Sequence, residues 1–217
     1  MKKLALTDFA KYRYPSALEL SPDSRYLTFA LKDVDREGDG YRWNLWLYDL
    51  ERRESRQITQ GDDQRKAVWE DNTHILYKTT EPDEALRARG FEEEWTVYHR
   101  LNVCTGEDRE AFRLPMSVSG LWKMDEGRYV FTGETHLDRP NLLELTGEAL
   151  EKELVRRQQT RGYKVLTELP LCENGVGMFN QTRNTLFLYL EAAGEYRRIT
   201  PEDYDVNHVN VRPGQVL

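Results

Sequence analysis

The feature of this chain that most restricts its fold is a unit written about three times: an apolar strand led by an Asp-containing turn, an aromatic strand, then a short charged strand. The first copy reads Ser21-Pro22-Asp23-Ser24-Arg25-Tyr26-Leu27-Thr28-Phe29, then Asn44-Leu45-Trp46-Leu47-Tyr48-Asp49-Leu50, then Arg56-Gln57-Ile58-Thr59. The second runs from Glu70-Asp71-Asn72-Thr73-His74-Ile75-Leu76-Tyr77 through Trp95–Leu101 to Ala111-Phe112-Arg113-Leu114. The third places Met124–Phe131 before Asn184–Leu190 and Tyr196-Arg197-Arg198-Ile199-Thr200. Repeats of about 40–50 residues, each holding several strands, are the signature of propeller blades.

Composition agrees with thin sheets rather than a thick helical core: apolar residues make up 39% and aromatics 11%, the latter gathered in the strand-like runs. The net charge of −7 provides no uniformly basic face, so nucleic acid is disfavoured as a partner. Cys104 and Cys172 lie far apart, outside any zinc or redox spacing, and read as reduced packing residues. The apolar stretch Leu4-Ala5-Leu6 meets Asp8 too soon for a signal-peptide core, and no apolar run approaches the length of a membrane span. A cytoplasmic protein without a membrane partner is the expectation.

Thr7-Asp8 can cap a short helix carrying Phe9 and Tyr12. Ser16–Leu20 and Tyr26–Lys32 flank a tight Ser-Pro-Asp-Ser turn, in which Pro22 fixes φ and Asp23 accepts local backbone hydrogen bonds. A polar loop is expected from Asp33 to Tyr41. In the next strand Leu45, Trp46, Leu47 and Tyr48 leave both faces apolar, as in a strand sandwiched between sheets. The densely charged stretch Glu81–Glu94 reads as a solvated excursion. In the third unit about fifty residues, Thr132 to Thr182, interrupt the pattern. Within them a helix is predicted from Gly147 to Arg161, with Glu148, Glu151 and Glu153 leading, Arg156, Arg157 and Arg161 trailing, and Gly162 to end it. Its apolar face, Leu150, Leu154 and Val155, should rest on the outside of a blade. A fourth unit is expected to start at Val206-Asn207-His208-Val209-Asn210-Val211.

The expectation is therefore all-β: a partial β-propeller of about three and a half four-stranded blades with a short helical insertion in the third. Blade 1 covers about 14–60, blade 2 about 61–115, blade 3 about 116–200 with its insertion at about 146–162, and the start of blade 4 about 201–217. So few sheets cannot close a ring of typical blade number, and the chain is expected to be a piece of a larger protein. Open blade edges would also invite self-association.

Three passages carry a family resemblance. They are Leu6-Thr7-Asp8-Phe9 ahead of Ser21-Pro22-Asp23, the run Leu45–Asp49 leading to Arg56–Thr59, and Glu173-Asn174-Gly175-Val176-Gly177 leading to Leu186–Tyr189. Their order resembles the N-terminal propeller of the prolyl oligopeptidase family of serine peptidases, in its acylaminoacyl-peptidase and dipeptidyl-peptidase-like branch. Turns of the Ser-Pro-Asp type also occur in TolB-like and other WD-like propellers. The resemblance implies a propeller seated over a C-terminal α/β-hydrolase domain, restricting access to short peptides. It implies no cofactor. The hydrolase portion has no counterpart in this sequence: the nucleophile-elbow pattern Gly-x-Ser-x-Gly is missing, and Ser16, Ser21, Ser24, Ser55, Ser117 and Ser119 all fall in the blade pattern. No catalytic residue is predicted. A non-enzymatic, protein-binding scaffold is the alternative.

Four groups of residues are candidate sites. His74, His99, His136 and His208 lack partners at ligand spacing, so no metal is predicted, although His74 and His99 could approach each other within one unit. Gly175-Val176-Gly177 lacks the third glycine of a phosphate loop. Trp43, Trp46, Trp69, Trp95 and Trp122 read as blade packing, with an aromatic ligand platform as the alternative. Glu92-Glu93-Glu94 stands out. In dipeptidyl-peptidase relatives, glutamates of the propeller bind the substrate's α-amino group, a task suited to carboxylates because a charge-assisted hydrogen bond to ammonium is strong. The resemblance implies that role for Glu93 or Glu94; a solvated charged loop is the plainer reading.

Overall fold

The computed structural model describes residues 5–35, 40–163, 165–167, 171–173, 177–179, 181–212 and 215–216. It contains three four-stranded antiparallel sheets, and the chain is all-β with few helices. The first sheet runs in sequence order through β1 (Tyr14–Leu20), β2 (Tyr26–Asp35), β3 (Gly40–Asp49) and β4 (Glu54–Gln57). The second is β5 (Ala67–Trp69), β6 (His74–Pro82), β7 (Glu94–Asn102) and β8 (Asp108–Leu114). The third holds β9 (Val118–Asp125) and β10 (Arg128–His136). Two small strands, β11 (Leu171–Glu173) and β12 (Gly177–Phe179), pair with each other before it resumes with β13 (Thr182–Leu190) and β14 (Glu195–Arg198); its spatial order is β14-β13-β10-β9. A last hairpin pairs β15 (Val211–Arg212) with β16 (Gln215–Val216). This is the partial propeller expected from the repeat.

The repeat is also visible in its hydrogen bonds. In the first sheet, Ile58 N donates to Leu45 O at 2.8 Å and Leu45 N donates to Thr59 Oγ1 at 2.8 Å. In the third, Ile199 N donates to Leu186 O at 2.8 Å and Leu186 N to Thr200 Oγ1 at 3.2 Å. The same Ile-Thr pair thus clips each outer strand to its neighbour, the threonine hydroxyl replacing a carbonyl where the ladder ends. The leading turns repeat less faithfully. Asp23 Oδ1 accepts from Ser21 Oγ at 2.6 Å and Arg25 N at 3.1 Å, while Asp71 Oδ1 accepts from Thr73 N and His74 N, each at 2.7 Å. Partial burial would raise the Asp71 carboxyl, but these bonds hold it down to about 2. In the third copy Asp125 instead pairs with the Arg128 side chain and Gly127 takes a φ of 68°.

Backbone contacts divide the chain into two compact units, Met1–Thr80 with Val97–Arg113, and Glu81–Thr96 with Leu114–Leu217. In the first unit, Ala30, Leu45, Leu47, Ala67, Trp69, Ile75, Tyr77, Leu101 and Val103 form one buried cluster between the first two sheets. The two-faced apolar strand β3 accounts for it: Leu45 and Leu47 are buried, while Trp46 and Tyr48 on the other face are only half-buried. Trp69 adds a donor, its indole N–H bonding Glu19 O at 3.1 Å. In the second unit Phe131 stacks on Phe187, centroids 5.0 Å apart, and Tyr196 meets both edge-on. Cβ-less Gly133 leaves room for the Met116 thioether, whose sulfur lies 2.4 Å from where a Cβ would stand.

Several expectations are corrected. Strands β2 and β3 run on through ten pairs, to Asp35 opposite Gly40, consuming most of the loop assigned to Asp33–Tyr41. The charged stretch 81–94 is no simple solvated loop: it holds helix α1 (Glu84–Arg87), capped by Asp83, and Leu86 is buried. The interruption of the third sheet is shorter than expected, because β10 continues to His136. The helix in it, α2 (Gly147–Thr160), forms where predicted, but Val155 is exposed and the buried pair is Glu153 and Leu154. Leu154 joins Leu86 and Leu142 in a separate small core. Of the stretch opening the expected fourth unit, 206–211, only Val211 is in a strand. Asp8 reaches back to the Ala5 N–H instead of capping ahead of its helix, which is a 3-10 turn, and Phe9 and Tyr12 are exposed. Cys104 is exposed, not packed, its thiol 3.9 Å from Tyr26 Oη. The side chain of Cys172 and residues 174–176 of the glycine-containing motif lie outside the described residues. No helix among the described residues is long and apolar enough to cross a membrane.

Candidate functional site

The second unit contains a cavity of about 440 Å³. Its floor is the third sheet: Glu134–His136 at the end of β10, Phe187 on β13, and Tyr196 and Arg198 on β14. One rim is Glu92 and Glu93 ahead of β7 with Glu94 at its start; the other is the helical insertion, through Arg139, Pro140, Asn141, Leu143, Glu144 and Arg157. The insertion stays in place through the Leu86–Leu142–Leu154 core and two sets of ion pairs. Arg89 holds Glu151 bidentately, both bonds 2.7 Å, and Arg157 Nη1 donates to Glu93 Oε1 at 2.7 Å. Asn141 bonds Pro115 O and caps the next turn by accepting from Leu143 N at 3.0 Å.

The predicted pair therefore reaches the cavity, but in two different states. Glu93 is engaged by Arg157. Glu94, exposed, makes no ion pair or side-chain hydrogen bond among the described residues, and neither does Glu92. On the floor, the Tyr196 hydroxyl donates to Glu144; burial, with that carboxylate second, pushes its pKa up. His136 Nε2 accepts from Arg139 Nη2 at 3.0 Å and its Nδ1 lies 3.3 Å from Thr182 Oγ1. Burial first, and the Arg139 charge second, push the His136 imidazole down to about 4, so it is neutral at pH 7. A neutral ring lets Nε2 accept from a cation while Nδ1–H donates. The walls thus offer carboxylates, an aromatic face of Phe187 and Tyr196, and the guanidiniums of Arg139 and Arg198.

The other candidates separate. His74 turns to Asp71 and Asn102, while His99 stacks on Tyr77, 5.2 Å between centroids, so the two do not meet. Among the described residues no group of three His, Cys, Asp or Glu side chains could hold a metal. The tryptophans are packing residues: besides Trp69, Trp95 bonds Asp83 at 3.1 Å, Trp46 stacks on Phe29, Trp43 lies under Arg65 at 4.1 Å, and Trp122 covers Gly120. His136, Arg139, Arg157, Phe187 and Tyr196 were not anticipated at the cavity. Arg157 was visible only as a cation near a helix end, and its partner is 64 positions away.

The sequence matches no protein-family profile and no curated protein. Solved structures do match. The acylaminoacyl peptidase of Pyrococcus horikoshii aligns over 89% of this chain with a TM-score of 0.59 at 12% identity, and an acylaminoacyl peptidase in complex with Z-Gly-Gly-Phe-chloromethyl ketone over 88%, with 0.58 at 11%. The AtxE2 isopeptidase aligns over 87%, with 0.51 at 13%. The chain spans 26% of the length of either peptidase structure and 30% of the isopeptidase. At these identities the likeness establishes the fold, a partial β-propeller of the kind found in acylaminoacyl peptidases.

Proposed function

We propose that this chain is the propeller segment of a serine peptidase of acylaminoacyl-peptidase type, admitting short flexible peptides to an α/β-hydrolase domain and excluding folded proteins. The segment supplies no catalytic group. Selection is by size, with Glu93 or Glu94 contributing to recognition of a peptide's amino terminus. The observation that supports this is the match of nearly the whole chain to about a quarter of acylaminoacyl peptidase structures, together with a cavity lined by carboxylates and aromatic rings. A carboxylate answers an ammonium by a charge-assisted hydrogen bond, and ring faces answer apolar side chains.

The test uses the full-length natural protein. A fluorophosphonate probe should label a serine that is none of Ser16, Ser21, Ser24, Ser55, Ser117 and Ser119, and turnover of chromogenic peptides should fall steeply with length, reaching zero for a folded protein. No labelled serine would replace this reading with the binding scaffold. Labelling with turnover independent of length would keep the peptidase and remove the gate.

A further inference from the structure

The guanidiniums that line the cavity differ in how their donors are used. Arg157 Nη1 donates to Glu93 Oε1 at 2.7 Å, Nε to Glu153 Oε1 at 3.0 Å and Nη2 to Pro140 O at 2.6 Å, and Arg156 adds two bonds to Glu153 at 2.6 and 2.7 Å. That alternating chain, Glu93–Arg157–Glu153–Arg156, is covered at its centre, with 12% of the Arg157 side chain and 9% of Glu153 exposed. Arg198 is the opposite case. Its side chain is 29% exposed, yet none of its five N–H donors makes a hydrogen bond among the described residues, and Nη1 is buried. Glu202 Oε1, on a well-exposed side chain, stands 3.4 Å from that nitrogen without accepting a bond from it. Arg139 lies between these extremes: Nη2 donates to His136 Nε2 at 3.0 Å, and no hydrogen bond joins it to a carboxylate among the described residues.

A neutral acceptor anchors a guanidinium without cancelling its charge, as a bonded carboxylate would. His136 does this for Arg139. Arg198 is held by packing alone: it stands opposite Phe187 in the β13–β14 ladder, with Cζ 6.0 Å from the ring centroid, and Tyr196 lies two residues before it on the same face of β14. Those two rings meet edge-on at 5.6 Å, and Met116 and Leu143 add apolar wall. A guanidinium answers a carboxylate with two parallel hydrogen bonds, and ring faces answer an apolar body. A dianion such as phosphate suits the cavity less, because glutamates line it too and repel each added negative charge. We infer that the cavity binds an apolar monocarboxylate, its carboxylate on Arg198 with Arg139 as the second cation, and its body against Phe187 and Tyr196. A small aryl-alkyl acid and the C-terminal residue of a peptide share that chemistry. The site adds a charge preference to selection by size and requires no turnover.

The test is calorimetric titration of the full-length natural protein, treated first with the fluorophosphonate so that no probe is cleaved. Three probes carry one phenyl group each: 3-phenylpropanoate, N-acetyl-alanyl-phenylalanine and the C-terminal amide of that dipeptide. Both acids should bind, and the amide about tenfold more weakly than its acid, the loss of one charge-assisted pair. Arg198→Gln should weaken both acids about tenfold and leave the amide unchanged. Its melting temperature should stay at the wild-type value, because the side chain it replaces makes no hydrogen bond among the described residues. Arg198→Lys, which keeps the charge and loses the fork, should fall between the two. Tighter binding of the dipeptide acid identifies the ligand as a peptide C-terminus, and tighter binding of 3-phenylpropanoate identifies it as a small acid; either supports the site. Equal affinity for the dipeptide acid and its amide overturns the inference, as does an unchanged acid Kd in Arg198→Gln or binding of no probe at all. Failure of the peptidase reading looks different: no serine is labelled, while the acids still bind and Arg198→Gln still weakens them.

Discussion

The cluster between the first two sheets and the helical insertion of the third are held by opposite means. The cluster joins nine buried residues, polar only at the Trp69 indole and the Tyr77 hydroxyl, whereas the insertion buries Leu142 and Leu154 against Leu86 and is tied chiefly through Arg157 and Arg156, with an exposed clamp from Arg89. Apolar packing is additive in area and indifferent to direction. Ion pairs are directional and sensitive to their surroundings. A region that must present one fixed wall to a cavity gains from the second kind, and a region that only has to stay shut gains from the first.

The contrast is most sharply broken in the cluster. Ile75→Ala should cost about 2–5 kcal/mol, because Ile75 is fully buried and a packed core relaxes only partly around a cavity; urea unfolding with an unchanged slope measures it. Arg157→Ala should cost less, about 2 kcal/mol, since Glu93 keeps partial access to water, and the loss should fall on α2 and not on the first unit, as hydrogen exchange would reveal. Smaller again is a pH effect confined to the cavity. The fold keeps His136 neutral down to about 4, whereas the unfolded chain protonates near 6.5. Its contribution is therefore fully present above 6.5, declines as pH falls toward 4, and changes no further below that. The two values set an upper bound of roughly 3 kcal/mol, and partial exposure brings it to about 1. His136→Gln should flatten that slope, while the cost of Ile75→Ala should be the same at both pH values. Least affected should be Glu151→Gln: the Arg89 pair is well exposed, and the melting temperature should not move measurably.

How much of this was legible follows from the range of the forces involved. Ile75-Leu76-Tyr77, Tyr129-Val130-Phe131 and Leu186-Phe187 declare buried strands by local pattern, and the glutamates and arginines of 147–161 declare a helix. Local sequence also places Thr59 and Thr200 at matching ends of matching strands. It cannot say which side of α2 faces inward, because a paired glutamate is as well buried as a leucine: Glu153 is covered and Val155 is not. Leu86, set in a stretch dense with charge, was hidden because its partners Leu142 and Leu154 lie far along the chain. The stretch 206–211 reads as strand by alternation, yet Val206 N donates to Asn184 O and the Asp205 side chain accepts from Asn184 N, which ties the segment to the end of β13 as a clasp. At the cavity, Glu93 and Glu94 look alike in sequence. Only a guanidinium 64 residues away separates them.

The alternating chain Glu93–Arg157–Glu153–Arg156 has a consequence for ionic strength. Salt screens exposed pairs over distances that shrink as its concentration rises, and reaches covered pairs far less. The Arg89–Glu151 clamp, open to solvent, should loosen first while the inner chain holds. Salt concentration then separates two kinds of contact on one helix: the outer clamp weakens as salt rises, while the covered Arg157 pairs and the leucines beneath them keep the helix where it is.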